Sequence, residues 1–251
     1  MTGATRRGRQ MLETRNLLLN SLRPAAREFI AKRLVTRPIE AGEMIYEDGA
    51  PFTHAVFPHV GRLSLMAVMD SGRAVEKTSI GNEGFLGFAL VLGGGNAISR
   101  SVVRVPGYAS WLAIADLDEA IAEFECVTQA MLRYAKALIV QLMESVACNS
   151  LHTSDQRVAR WLLHALDSVP GNSLEITQQA VAESLGFRRA TVNQICTTLQ
   201  DKGVMDYSRG SVVVRDRPAL EAQACECYGR IRQLSLAAAP PPIAARPFVA
   251  S

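Results

Sequence analysis

The sequence predicts an α+β fold with three parts in series: an N-terminal β-roll, a long central helix and a C-terminal winged helix-turn-helix. Three observations predict it. Short strand-like runs punctuated by glycines fill residues 36–114, and a heptad-spaced apolar stripe follows them. After that stripe, residues 176–202, ITQQAVAESLGFRRATVNQICTTLQDK, read as two helices around a glycine turn.

The bulk properties bound the possibilities. A chain of 251 residues can bury a sizeable core in one or two domains. Hydrophobic residues at 48% and charged residues at 20% give the balance of a water-soluble globular chain. Nothing approaches the run of about 20 apolar residues that a membrane span needs. The N-terminus, MTGATRRGRQMLETRNLLLNSL, is basic but lacks an apolar run with a small-residue cleavage site, so no signal peptide and a cytoplasmic location are expected. In that compartment the five cysteines read as reduced thiols.

Taken in order, residues 1–15 are basic and read as loose. Residues 16–34 suggest short helices split near Pro24, because a prolyl ring is costly inside a helix. Glycines at 42, 49, 61, 72, 81, 84 and 87 then separate runs such as Met44-Ile45-Tyr46, residues 62–68 and residues 74–80. Residues 101–105 and 108–114 complete a set of strands spaced near ten residues apart, the pattern of a barrel or roll. Helix returns after Asp116. From Cys126 to about Asn149, Leu132, Ile139 and Val146 fall seven apart, with Ala135 and Leu142 at the other seam position, as in a dimeric coiled coil. A second stripe, Met131, Tyr134, Leu138 and Met143, lies beside the first, so that one covers the roll and the other a partner. A single long helix packed only on its own domain is the alternative. Residues 152–155 read as a hinge and helix start, and Trp161 with its neighbouring leucines as core beneath the helix pair. The tail, LAAAPPPIAARPFVAS, has the composition of disorder. The expected divisions are a roll with flanking helices at 16–125, a dimerisation helix at 126–150 and a winged helix-turn-helix at 151–232, with loose ends at 1–15 and 235–251.

The helix pair carries the functional signal. Thr177 suits an N-cap, Ala180, Val181 and Leu185 supply a buried side, and Gly186 makes the turn. In the second helix Val192, Ile195, Cys196 and Leu199 form the apolar stripe, while Ala190, Asn193, Gln194 and Thr197 face away. Such a helix can enter a major groove, where Arg reads guanine, Asn and Gln suit adenine, and Ala or a Thr methyl meets thymine. An ordinary helical hairpin with a solvated face fits the same pattern. Residues 205–214, MDYSRGSVVV, tip the balance: two short strands around an Arg-Gly turn make a wing that presents Arg209 to a phosphate. Residues 151–230 hold nine Arg or Lys and nine Asp or Glu, so 9 − 9 = 0, and affinity must come from a local cluster of Arg188, Arg189 and Arg209.

With that order of parts, the chain resembles the Crp/Fnr family of bacterial transcription regulators over nearly all of residues 16–232. The residues that carry the likeness are Gly42-Glu43 with Ile45, Gly49 and Gly61, similar to the opening of a cyclic-nucleotide-binding-type roll (a double-stranded β-helix), and residues 176–192, similar to the family's DNA-reading unit. The resemblance implies that Thr177, Gln178 and Gln179 anchor phosphates at a helix N-terminus and that Arg189 reads a base; the exposed helix face and the wing add Arg188, Ala190, Thr191, Asn193, Gln194 and Arg209 to the expected contact set. Ala190 and Gln194 stand where the family often has Glu and Arg, which implies a different operator from the family's usual half-site. In the roll, Phe88 stands where nucleotide-binding members carry a ribose-holding Glu. Gly87, Phe88, Arg100 and Ser101 therefore form an effector pocket poorly suited to cyclic AMP, open to another anion or to no ligand.

The expected function is a homodimeric, sequence-specific DNA-binding regulator of transcription acting on an inverted-repeat operator, its affinity modulated through the roll. RNA polymerase and an unidentified small-molecule effector are further partners left open, and no membrane contact is expected. The competing reading is a metabolite- or partner-sensing module whose C-terminal unit makes protein contacts. No nucleophile–base pair or phosphate loop supports an enzyme. No metal or haem is expected either: the first cysteine, Cys126, lies far from the N-terminal iron–sulfur ligands of oxygen-sensing relatives. Cys225-x-Cys227 lacks the usual ligand spacing and a nearby His, and reads as structural or inert. His54 and His59 read as surface or satisfied core residues.

Overall fold

The computed structural model describes residues 14–239. Two short helices, α1 (Leu17–Asn20) and α2 (Pro24–Ala31), open it, with Pro24 in the first turn of α2, where its missing N–H costs nothing. Asn16 caps α1 and is fully buried. Its amide also donates to the carbonyls of Pro58 and Gly84, tying this entry segment to the roll.

The roll comprises β1 (Val35–Ile39), β2 (Met44–Tyr46), β3 (His54–Val68), β4 (Ala74–Ile80) and β5 (Arg100–Ala113). Their antiparallel order is β1-β5-β3-β4, with β2 also on β5. Phe57, Leu63, Ile80, Phe85, Leu86 and Leu112 fill the centre. Gly61, expected at a turn, lies instead inside the fifteen-residue β3, at a bulge with φ +95°. A Cβ there would collide with the Val105 carbonyl, and one on Gly107 opposite would collide with the Val60 carbonyl, so the two glycines let β3 and β5 bend together. The first half of β3 escapes alternation because nearly every residue in it is buried.

Helix α3 (Ile114–Glu123) leads into α4 (Glu125–Leu151). One face of α4, with Met131, Tyr134 and Leu138, completes the core of the roll. Leu132, Ile139, Met143 and Val146 stand 44, 49, 66 and 68% exposed on the other side. Two seam expectations change. Ala135 is buried within the protomer, and Met143 belongs to the exposed stripe rather than to the roll-facing one, because the helix turns about 100° per residue and drifts off a strict seven-residue repeat.

The chain turns at His152–Thr153 into α5 (Ser154–Asp167), where Thr153 and Gln156 form a reciprocal capping box. There follow β6 (Ser173–Glu175), α6 (Gln178–Leu185), α7 (Arg189–Asp201), β7 (Met205–Ser208), β8 (Ser211–Val214), α8 (Arg217–Gln223) and α9 (Cys227–Ala238). A second core joins Trp161, Leu162 and Leu166 to Val192, Ile195 and Leu199, and Val105 of β5 belongs to it. Helix α9 runs back along α4: Arg230 pairs with Glu144 at 3.6 Å, and Arg133 donates to the Ala238 carbonyl. The loose ends expected at 1–15 and 235–251 fall largely outside the described residues. Where the second is described it is helical as far as Ala238, which is buried. Among the described residues no helix is long and apolar enough to cross a membrane.

Two outcomes follow from this packing. A Cβ on Gly84 would fall within the Tyr134 ring, so Gly84→Ala should destabilise the protein by about 1–3 kcal/mol, read from urea unfolding. Burial also pulls the pKa of His59 down from 6.5 to about 4. Its ring nitrogens meet Thr14 Oγ1 and Ser110 Oγ at 3.1 and 2.6 Å. The unfolded chain then binds the extra proton between these values, so the stability that neutral His59 supplies is complete above pH about 6.5. It is lost as pH falls toward about 4, by on the order of 3 kcal/mol at most. Thermal melts across that window should show a steeper fall for the native protein than for His59→Gln.

Candidate nucleic-acid interface

The helix pair forms as its residue types dictate. Thr177 Oγ1 accepts from the Ala180 N–H at 3.1 Å and caps α6. Gly186 ends that helix at φ +71°, and α7 begins three residues later. Val192, Ile195, Cys196 and Leu199 are buried, while Arg188, Arg189, Ala190, Asn193 and Gln194 are exposed and Thr191 is half-buried. Burial raises the Cys196 thiol to about 11, which keeps it a neutral core group.

The wing is a two-residue hairpin. Ser208 pairs with Ser211, and Arg209 and Gly210 both take positive φ, 48° and 85°, the geometry that suits the twist of the flanking strands. Gly is at ease there, whereas Arg209 is strained. The Ile176 N–H donates to the Gly210 carbonyl at 2.8 Å, which fastens the wing tip beside the start of α6.

These contacts bring residues from three elements to one place. Thr177, Gln179, Arg189 and Arg209 line a single open cleft of about 520 Å³, together with Gln178, Tyr207 and Gly210. Gln178 departs from expectation. It is only 8% exposed, so its side chain forms floor rather than a phosphate anchor, and its N–H donates to the Tyr207 hydroxyl at 3.1 Å. Tyr207 was not singled out from the sequence; its position in β7, facing the first turn of α6, is a tertiary fact. Gln179 is exposed and donates to Glu183.

Electrostatics separate this face from the rest of its unit. Four acidic groups are engaged away from it: Asp206 with Arg215, Asp167 and Glu221 with Arg217, and Glu183 with Arg104 of the roll at 3.0 Å. Among the described residues Arg188, Arg189 and Arg209 have no carboxylate partner within 4.0 Å. A unit of zero net charge thus brings two arginines, Arg189 and Arg209, to one cleft without a carboxylate partner within 4.0 Å among the described residues.

The roll touches this unit at several points. The N–H that the Gly61 bulge frees donates to Ser168 at 2.9 Å, and Arg62 donates to the His164 carbonyl. Trp161 donates to Glu76, and Gly186 rests against Val75 of β4.

The expected effector residues are less convergent. Arg100 pairs with Glu47 at 2.9 Å, which occupies the charge expected to meet an anion. Phe88 packs against the apolar core, Gly87 precedes a short 3-10 turn at φ +119°, and Ser101 is buried with no partner for its hydroxyl among the described residues. His59 is a satisfied core group, as described above, and His54 bonds Thr53.

The expectation of no metal-ligating set meets a correction. Cys148, His152, Cys225 and Cys227 converge, with their ligand atoms within 4.8 Å of one another. His152 supplies the histidine that no short spacing in the sequence placed near Cys225 and Cys227.

Residues 156–223 match the model of the Crp-like helix-turn-helix domain. This segment is a Crp-like helix-turn-helix domain. The chain as a whole has the fold of the Crp/Fnr regulators. FixK2 from Bradyrhizobium japonicum superposes with a TM-score of 0.64 at 15% identity, over 76% of this chain and 98% of that one. The c-di-GMP-responsive global regulator CLP from Xanthomonas campestris gives 0.55 at 16% identity, over 76% and 98%. A mutant of CooA from Carboxydothermus hydrogenoformans gives 0.54 at 14%, over 85% and 97%. No curated protein sequence matches the chain.

The strain at Arg209 gives the Crp-like domain a diagnostic variant. Arg209→Asn should raise stability by up to about 1 kcal/mol, since Asn tolerates positive φ, while lowering affinity for any DNA. Urea unfolding beside binding titrations checks both directions.

Proposed function

We propose that the protein is a homodimeric regulator of transcription that binds an inverted-repeat DNA operator through α7 and the wing. The observation that carries this reading is the convergence of Arg189, Arg209, Thr177 and Gln179 on one cleft, with Arg188 next to Arg189 in the chain and four of the unit's acidic side chains paired elsewhere. It weighs against protein contacts, whose main support was the zero charge of the unit. Dimerisation is supported by the exposed apolar stripe of Leu132, Ile139, Met143 and Val146, with Leu142 half-buried at its side. Two α7 helices from such a dimer enter successive major grooves about 34 Å apart. The contacts from Gly61, Arg62, Glu76 and Arg104 to the Crp-like domain support modulation through the roll, because a shift in β3–β5 reaches the DNA unit directly.

Selection from random DNA should return an inverted repeat distinct from the cyclic-AMP-receptor half-site, because Ala190 and Gln194 replace a Glu and an Arg at the reading positions. On that operator Arg189→Ala should cost about 1–3 kcal/mol and relax one base preference. Arg209→Ala should weaken all sequences alike and flatten the salt dependence. Identical profiles for the two variants across single-base operator changes would refute the division of roles. Sedimentation of Ile139→Glu is expected to give monomers with lowered operator affinity.

A further inference from the structure

The strongest feature that the DNA-binding reading leaves unused is the cluster at the hinge. Cys148 and His152 lie one turn apart at the end of α4, so both project from the same face. Cys225 and Cys227 flank Glu226 at the junction of α8 and α9. Cys148 Sγ is 3.5 Å from Cys225 Sγ, and Cys227 Sγ is 3.7 Å from His152 Nδ1. A tetrahedral zinc with Zn–S about 2.3 Å and Zn–N about 2.0–2.1 Å sets its ligands about 3.8 Å (S to S) and about 3.6 Å (S to N) apart. Four ligand atoms within 4.8 Å of one another suit one ion and leave no room for a multi-iron cluster.

We propose that Cys148, His152, Cys225 and Cys227 form a structural zinc site that clamps the hinge between α4 and the DNA-binding unit. Three thiols release their protons to solvent as four coordinate bonds form, with no change of oxidation state. Two further features fit a bound ion. Glu226 Oε2 lies 3.2 Å from His152 Nε2, so the carboxylate accepts from the distal ring nitrogen and directs Nδ1 at the metal. Three thiolates and Zn²⁺ also sum to one negative charge, and buried arginines stand nearby to balance it. Arg160 is 9% exposed and, among the described residues, has no carboxylate partner within 4.0 Å. Among the described residues the Nε atoms of Arg157 and Arg160 are buried without partners.

The DNA-binding unit occupies the stretch between the two ligand pairs, so one ion pins both of its ends to the last turn of α4. Zinc occupancy would hold the angle at His152–Thr153 and hence the spacing of the two α7 helices. That consequence rests on the DNA-binding reading, whereas zinc binding does not.

Elemental analysis of full-length protein purified without chelators should find one zinc per chain. Cobalt(II) in its place should give the intense visible bands of a tetrahedral thiolate centre. Cys225→Ser with Cys227→Ser should abolish both signals. Glu226→Gln, exposed and outside the ligand set, should keep the fold by circular dichroism while lowering zinc affinity about ten- to a hundredfold in competition with a chromophoric chelator. Absence of zinc, a weak octahedral cobalt spectrum, a Cys148–Cys225 disulfide in the freshly purified protein, or unaltered affinity in Glu226→Gln would each overturn the site. Chelation should lower affinity for the selected operator with the dimer intact. If zinc binds and operator affinity is indifferent to it, the hinge clamp falls while the site stands; if no DNA binds with or without zinc, the DNA-binding reading fails instead.

Discussion

The seating of α4 on the roll is the constraint from which the other arrangements follow. Met131, Tyr134 and Leu138 enter the same core as Phe57 and Phe85, and the approach is close enough that position 84 must be glycine. Tyr134 is buried and, among the described residues, its hydroxyl has no partner, a cost borne for the volume of the ring. Once this face is committed, the rotation of the helix decides the rest. The exposed stripe from Leu132 to Val146 points outward, Cys148 and His152 arrive at the hinge, and Glu144 and Arg133 meet α9.

The roll and the DNA-binding unit are coupled by polar contacts rather than by a broad apolar seam. The Gly61 bulge costs one ladder bond and turns the freed N–H toward Ser168. Arg62 is buried beside it, held by Ser79 and by the His164 carbonyl. Desolvation together with the neighbouring Arg62 and Arg160 charges keeps His164 neutral. Bonds of this kind are individually modest and directional, which lets an interface adopt one alternative register without loss of either core. The hinge cluster brings residues from both ends of the DNA-binding unit to the end of α4.

Charge partition contributes to the cationic character of the cleft. Asp167, Glu183, Asp206 and Glu221 are each committed to an arginine away from α7. What remains at the cleft is Arg189 and Arg209 with amide and hydroxyl neighbours, a set suited to phosphate and base edges. The strained backbone of Arg209 fits this picture, because a hairpin of the same length would form more readily with Asn or Gly at that position.

Local pattern was sufficient wherever one segment carries its own information. The 3.6-residue stripes of α6 and α7, the cap at Thr177, the turn glycine at 186 and the Arg-Gly hairpin were all legible, and so was the presence of two apolar stripes on α4, though not the side taken by Ala135 or Met143. The first half of β3 was not, since burial on both faces erases alternation, and Gly61 read as a turn because a bulge glycine and a turn glycine look alike in one dimension. The burial of Gln178 under Tyr207, the inward rotation of Ala135 and the pairing of Arg100 with Glu47 depend on neighbours far along the chain. The cysteine cluster is the plainest case. Cys225-x-Cys227 carries no sign of a partner on its own, and only the return of α9 along α4 brings it to Cys148 and His152. Sequence by itself determined the helices, most of the strands and the exposed polar face of α7, because those follow from periodicity and local sterics. Tertiary structure decided which faces are spent on packing and which side chains meet across about 75 residues of chain, because those depend on long-range contacts whose geometry no local spacing encodes.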